Sequence, residues 1–298
     1  MRRAAIQAAI GALGSLTAGL LCACDGGAPA LTAPPPALHA DPFYAKYLDA
    51  AGIPILGSAH VPDRALEVAR DIVTGMLAHR PDLGRDLAAS GYRVAIMAEG
   101  ETTTDLPEQR EWKKPARDDP RLTYCERKHY DERIGALSDR GYWDARARGM
   151  AGKLTSGAVE DLLGRKNSRY YGETIFLHEF SHDILDAVQG ADRALYAQVE
   201  KAYADALKAG LWKGEYAATN VQEYWAEGAQ FWFDSNRIAI FKGRQVLSDQ
   251  DLKSYDPELY AALAQVFGDT HHIAADPFYM SAARVPPGPL PENTAEVC

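Results

Sequence analysis

The sequence predicts an α+β fold that is rich in helices and contains a small sheet. Apolar residues recur at helical spacing from Ala59 to Leu77, and a second apolar helical run spans Thr174 to Leu185. The run from Tyr92 to Ala98 is rich in β-forming residues and enters a polar stretch, which is typical of a strand followed by a loop. We expect one domain over residues 41–298, with the sheet beside the helix of 174–185.

Composition and charge limit the classes of function. The chain has 298 residues, of which 47% are hydrophobic and 24% charged, as in ordinary globular proteins. Loss of Arg2 and Arg3 with a leader would leave 30 basic against 41 acidic residues, a net charge of −11. Because no long basic run is present, we expect no nucleic acid as a partner.

The N-terminal stretch has the pattern of an export signal. Met1-Arg2-Arg3 is followed by an apolar run to Leu21, and Leu21-Cys-Ala-Cys24 has the pattern of a bacterial lipobox. We expect a signal peptide over 1–23, a lipid on Cys24, a flexible tether over 24–40 and attachment to a membrane on its periplasmic or outer side. Cleavage near Ala23 or Ala28 by the general signal peptidase, which would give a secreted protein, remains an alternative.

Two further cysteines lie in the body of the chain. In an oxidising compartment Cys125 and Cys298 can form a disulfide that fastens the C-terminus to the domain. The sequence leaves this pairing open, because it does not show whether the two residues are close.

Two segments flank the central helical run. The residues 107–152 are dense in charge, and we assign no regular structure to most of them; they form either a substrate-facing insertion or a solvated surface. From Asp192 to Leu207 apolar residues again follow helical spacing, with Gly190 and Gly210 at the two ends.

The pattern H-E-x-x-H stands in the central helical run. His178 and His182 are four residues apart, so a helix places both imidazoles on one face, where they can bind one zinc ion. Glu179 lies beside the first histidine and can take a proton from a zinc-bound water. A merely buried helix would show the same apolar residues, so a third ligand is needed to support the metal site.

A candidate third ligand follows about forty residues downstream. Thr219 and Gln222 have the spacing of a capping box, which predicts that a helix begins there and that Glu223 and Glu227 lie one turn apart. Acidic residues on a helix that is otherwise aromatic are costly to bury without a partner, and a zinc ion with its ligand imidazole would provide one. The alternative is a solvated acidic face.

The two stretches together resemble the lethal-factor-like zinc metallopeptidases, a family that includes the Pro-Pro endopeptidases. The resemblance covers residues 172–233. It implies a zincin-like fold, zinc ligands at His178, His182 and Glu223, a catalytic base at Glu179 and an assisting hydroxyl at Tyr216. Glu227 is then expected to orient a ligand histidine.

The function expected from these features is hydrolysis of peptide or protein substrates outside the cytoplasm, with one zinc ion per chain. Two alternatives remain. One is a zincin-like binding module on the cell surface without turnover, and the other is a hydrolase of a non-peptide substrate in the cell envelope.

Overall fold

The computed structural model describes residues 30–241 and 243–289. The predicted signal peptide, Cys24 and Cys298 lie outside these residues. Two sheets are present in the described part of the chain. The strands are β1 (Lys46–Ala50), β2 (Ile53–Gly57), β3 (Arg93–Met97), β4 (Leu154–Ala158), β5 (Ala239–Phe241) and β6 (Arg244–Val246).

Helices make up most of the regular structure. They are α1 (Asp63–Leu77), α2 (Pro81–Ala89), α3 (Tyr124–Lys128), α4 (Asp139–Arg146), α5 (Val159–Leu162), α6 (Ile175–Ala191), α7 (Arg193–Ala209), α8 (Val221–Trp232), α9 (Asp249–Tyr255) and α10 (Pro257–Phe267). Within the described ranges, we find no helix of the length and apolarity that crossing a membrane requires.

The larger sheet has the strand order β1-β2-β3-β4. β1 and β2 are antiparallel, and the two-residue turn between them, Ala51-Gly52, has positive φ at both residues, as a type I′ turn does. β2, β3 and β4 run parallel, with α1 and α2 between β2 and β3. The sheet is therefore mixed and small, and the predicted α+β class is confirmed.

The main core lies between one face of this sheet and the helices. It includes Ile55, Val94 and Ile96 from the strands and Phe176 and Phe180 from α6. A Cβ atom on Gly157 would lie only 2.8 Å from a ring carbon of Phe176. The glycine in β4 therefore allows α6 to pack closely against the sheet, which places the predicted helix of 174–185 beside it.

The element boundaries differ slightly from those expected. α1 begins at Asp63 because Pro62 is extended, and α7 begins after Asp192, whose side chain accepts a hydrogen bond from the backbone N–H of Leu195 at 3.1 Å. Residues of the predicted tether also contact the sheet, since Thr32 forms a β-bridge with Tyr47. Ordered packing therefore starts before Asp41.

The segment 107–152 contains regular structure that the sequence analysis did not assign. Thr123 caps α3 through a hydrogen bond from the N–H of Glu126 at 3.1 Å, and Ser138 caps α4. A separate small apolar cluster holds the segment together; it consists of Leu122, Ile134 and Tyr142. Cys125, in α3, is disulfide-bonded. Because Cys298 lies outside the described residues, the pairing of these two cysteines stays a prediction.

Candidate metal centre

α6 places the two histidines as the motif predicts. His178 and His182 lie one turn apart, with ring centroids 4.9 Å from each other. His178 is buried, with 3% of its surface exposed, whereas His182 lies at the edge of a cavity. Both rings therefore face the same space from one side of the helix.

α8 brings Glu223 to these rings, but its N-terminus is not the predicted capping box. The capping residue is Asn220, whose side-chain oxygen accepts a hydrogen bond from the N–H of Glu223 at 3.0 Å. Thr219 already has helical dihedral angles at the end of the preceding turn, so it cannot serve as the cap. The side chain of Gln222 instead contacts Asp186, at 3.4 Å.

The three predicted ligands meet. Glu223 Oε2 lies 3.1 Å from His178 Nε2 and 3.5 Å from His182 Nε2. One ligand atom from each residue lies within 4.8 Å of the other two. Ligand atoms around one tetrahedral zinc, at bond lengths of about 2.0–2.1 Å, are about 3.3 Å apart. The two histidines and one carboxylate therefore fit a zinc ion in both chemistry and spacing.

The electrostatics of the group favour a bound cation. Burial alone would raise the pKa of Glu223, but hydrogen bonds from His178 and His182 hold it well below its usual range. Burial alone would lower the pKa of His178, yet the hydrogen bond to Glu223 and the nearby charges of Glu179 and Glu227 raise it to about 10. When no metal is bound, the positive charge that balances the nearby carboxylates comes from a proton on His178.

Glu179 lines the same cavity as the ligands. Burial is the main cause of its raised pKa, and the charges of both histidines and a hydrogen bond from the backbone N–H of Ala151 act against that rise. A carboxylate whose pKa is raised from the ordinary range binds a proton more readily near neutral pH, which suits a general base.

Tyr216 stands at the mouth of the site. Its ring lies 6.3 Å from that of His178, and its hydroxyl donates to Glu223 Oε1 at 3.2 Å. Burial of the hydroxyl, together with the adjacent Glu223 carboxylate, raises the pKa of Tyr216 above its ordinary value of 10. At neutral pH the hydroxyl is therefore a hydrogen-bond donor.

Glu227 and Gln230 approach the far side of the His178 ring. Glu227 Oε1 lies 3.5 Å from His178 Nδ1, and Asn236 donates to the other carboxylate oxygen at 2.8 Å. Gln230 Oε1 is nearer to the same ring nitrogen, at 2.9 Å. The sequence analysis missed Gln230; the available signal was its helical spacing from Glu223 and Glu227 on α8.

The site opens into a cavity of about 1380 Å³. One wall belongs to the segment 107–152, and its Arg146 and Glu126 form an ion pair at 2.5 Å. Residues between 231 and 241 also line the cavity, and among them Arg237 lies 3.3 Å from Glu173. Part of the segment 107–152 thus lines the cavity, while other residues of it are exposed, and a substrate-facing role stays a prediction.

The chain has structural likeness to solved structures. No family model matches the chain, and no curated protein matches it. Among solved structures, the Pro-Pro endopeptidase PPEP-2 from Paenibacillus alvei aligns with a TM-score of 0.43 and 17% sequence identity, over 72% of this chain and 97% of that one.

Proposed function

We propose that this chain is a zinc-dependent peptidase that acts outside the cytoplasm. The observation that carries the proposal is the convergence of His178, His182 and Glu223, whose ligand atoms lie within 4.8 Å of one another, in the cavity that also holds Glu179. Two imidazoles, a carboxylate and an adjacent second carboxylate form the donor set of a hydrolytic zinc site.

Zinc held by these three residues would supply Lewis acidity, which polarises a carbonyl group and lowers the pKa of a bound water to about 7. The remaining functions belong to side chains of this chain. Glu179 accepts a proton from the attacking water and later gives it to the leaving amine. Tyr216 donates a hydrogen bond to the carbonyl oxygen as negative charge develops on it.

The size of the cavity supports a polymeric substrate. Sites for small molecules usually enclose about 300–1,000 Å³. The cavity of this chain is larger, at about 1380 Å³, and its walls present backbone segments such as 149–152 as well as side chains. An extended peptide of several residues fits such a space better than a single small metabolite does.

Metal analysis combined with cleavage of a broad peptide library tests the proposal. The purified chain should carry about one zinc ion and cleave peptides, whereas Glu179→Gln should keep the zinc and lose the cleavage, because it removes the base and preserves the shape of the site. Zinc-loaded wild type that cleaves no peptide would contradict the peptidase proposal. Release of fragments from purified cell-wall sacculi would then support the non-peptide alternative.

A further inference from the structure

Gln230 joins the start of α6 to the metal site. Its side chain is fully buried, with 0% of the residue exposed. The side-chain oxygen lies 2.9 Å from His178 Nδ1, and the side-chain nitrogen donates to the carbonyl oxygen of Thr174 at 3.3 Å. The amide of Gln230 thus contacts both His178, the first predicted ligand, and Thr174, the residue that precedes α6.

The contact with Thr174 fixes which way the amide points. A backbone carbonyl oxygen can only accept hydrogen bonds, so it must face the NH₂ group of Gln230. The amide oxygen then faces His178 Nδ1. Because an oxygen acceptor requires a hydrogen on that nitrogen, Nδ1 carries a proton. Nε2, which faces the Glu223 carboxylate at 3.1 Å, is the nitrogen that can bind a metal once its own proton has left.

The backbone holds this arrangement at both ends. The carbonyl oxygen of Gln230 accepts from the N–H of Ser235 at 2.9 Å, and the carbonyl oxygen of Ser235 accepts from the N–H of Thr174 at 3.1 Å. Together with the side-chain contact between Gln230 and Thr174, these bonds close a ring. The amide therefore has little freedom to turn away from His178.

Glu227 is the competing partner for the same nitrogen. Its Oε1 lies 3.5 Å from Nδ1, beyond the usual range of about 2.7–3.2 Å for an N–H···O bond. Its other oxygen is bound by Asn236 at 2.8 Å. Geometry thus favours the amide over the carboxylate as the acceptor of the His178 N–H.

We propose that Gln230 is the positioning residue of the metal site, which holds His178 with its proton on Nδ1 and Nε2 facing the ion. Glu227 is not required for this function. The inference rests on the proposed function, since it concerns the same zinc site, and it adds a neutral amide in place of the expected carboxylate. An acceptor of this kind orients the ligand without adding charge to the site.

The experiment compares Gln230→Met with Glu227→Gln in the purified full chain. Zinc affinity is measured by competition with a chromophoric chelator, and ¹⁵N spectra of the histidine side chains in zinc-loaded protein report which ring nitrogen carries the proton. Gln230→Met should weaken zinc binding on the order of 10–100-fold and alter the Nδ1 signal of His178. Glu227→Gln should change the affinity by less than about threefold.

Two results would overturn the inference: a His178 ring that is protonated on Nε2 in zinc-loaded wild type, or a Gln230→Met variant with wild-type affinity and an unchanged Nδ1 signal. The wild-type spectrum decides the matter if Gln230→Met does not fold. Neither readout depends on turnover. A chain that binds zinc as described but cleaves no peptide would therefore contradict the proposed function alone.

Discussion

Asp183 accepts a hydrogen bond from the backbone N–H of Gly152 at 3.0 Å. Its second oxygen accepts from the hydroxyl of Thr155, and the residue is 1% exposed. Glu179, one turn earlier on α6, lies beside Ala151, whose backbone N–H acts to lower the pKa of its carboxyl. The two acidic side chains on one face of the helix thus approach two consecutive residues next to β4, and Asp183 fixes the second of them.

Removing the Asp183 carboxylate should therefore destabilise the chain and slow turnover. Asp183→Ala loses two hydrogen bonds to a buried carboxylate, so we expect the free energy of unfolding to fall by about 3 kcal/mol. We also expect kcat to fall on the order of tenfold, because the segment that supports Glu179 is released. Denaturant unfolding and kinetics test this, with Glu200→Ala on the exposed face of α7 as the control. If Asp183→Ala were as stable as wild type, the two hydrogen bonds would make no net contribution to the free energy of unfolding.

Each of the three ligands should be necessary for zinc. His178→Ala, His182→Ala and Glu223→Ala should each lose most of the metal, measured by elemental analysis after dialysis, because each leaves only two protein ligands. Glu179→Gln is the matched control, since it lies in the same cavity and should retain stoichiometric zinc. Full retention of zinc by Glu223→Ala would move the third ligand elsewhere, with Glu227 as the next candidate.

The hydroxyl of Tyr216 should matter for turnover and not for the metal. It donates to Glu223 Oε1 beside the two histidines, and a donor to a developing oxyanion acts in the transition state. We expect Tyr216→Phe to lower kcat and kcat/KM together, on the order of 100-fold, while KM and zinc content stay nearly unchanged. Near-normal turnover of Tyr216→Phe with full zinc would assign the tyrosine to packing instead.

Asp161 should make the stability of the folded chain depend on pH. It is 1% exposed, and desolvation raises its pKa from 3.8 to about 6, although the hydroxyl of Ser168 donates to it. In the window between these two values the folded state holds a proton that the unfolded state releases. The stabilisation is therefore complete below about pH 4 and is lost as the pH rises through 6.

The amide of Asp161→Asn does not titrate, so the comparison with wild type isolates this effect. Between about pH 4 and 7 the stability of wild type relative to Asp161→Asn should fall on the order of 2–3 kcal/mol. Denaturant unfolding at several pH values measures the difference, and Asp118→Asn at an exposed position serves as the control. If the free energies of unfolding of wild type and Asp161→Asn changed with pH in the same way, Asp161 would not hold a proton in the folded state over this pH range.

Cys24 should carry the lipid anchor that the N-terminal pattern predicts. Labelled fatty acid should be incorporated into the wild type, and Cys24→Ser should abolish the label and release the protein from membranes. Cys22→Ser is the matched control, since it changes a cysteine two residues earlier and keeps the modified one. A soluble and unlabelled wild type would favour ordinary secretion.

The site residues that the sequence predicted are those that recur at helical spacing and those whose charge would be costly to bury without a partner. His178 and His182 follow from the four-residue spacing on a helix. Glu223 follows because a carboxylate on an aromatic helix needs a partner. The helix start near Thr219 was assigned one residue early, because Thr and Asn are both good caps and the sequence does not show which one is extended.

The parts that the sequence did not predict depend on contacts between distant residues. Gln230 contacts His178 across 52 positions in the sequence, and an uncharged amide on a helix has no unusual cost that would draw attention to it. The helices in the segment 107–152 are short, and their apolar cluster of Leu122, Ile134 and Tyr142 joins positions without a regular period. Their place along the cavity is a consequence of tertiary packing.

The contact between Gly157 and Phe176 sets how closely α6 approaches the sheet, and the width of the cavity depends on that approach. A side chain at 157 would begin only 2.8 Å from the Phe176 ring, so even alanine requires a shift of that ring or of α6, which carries it. If α6 shifts, both histidines move with it relative to Met150, which forms a β-bridge with Ser156 of β4. The geometry of the metal site therefore depends on a residue that does not line the cavity, and saturation mutagenesis confined to the cavity lining would overlook it.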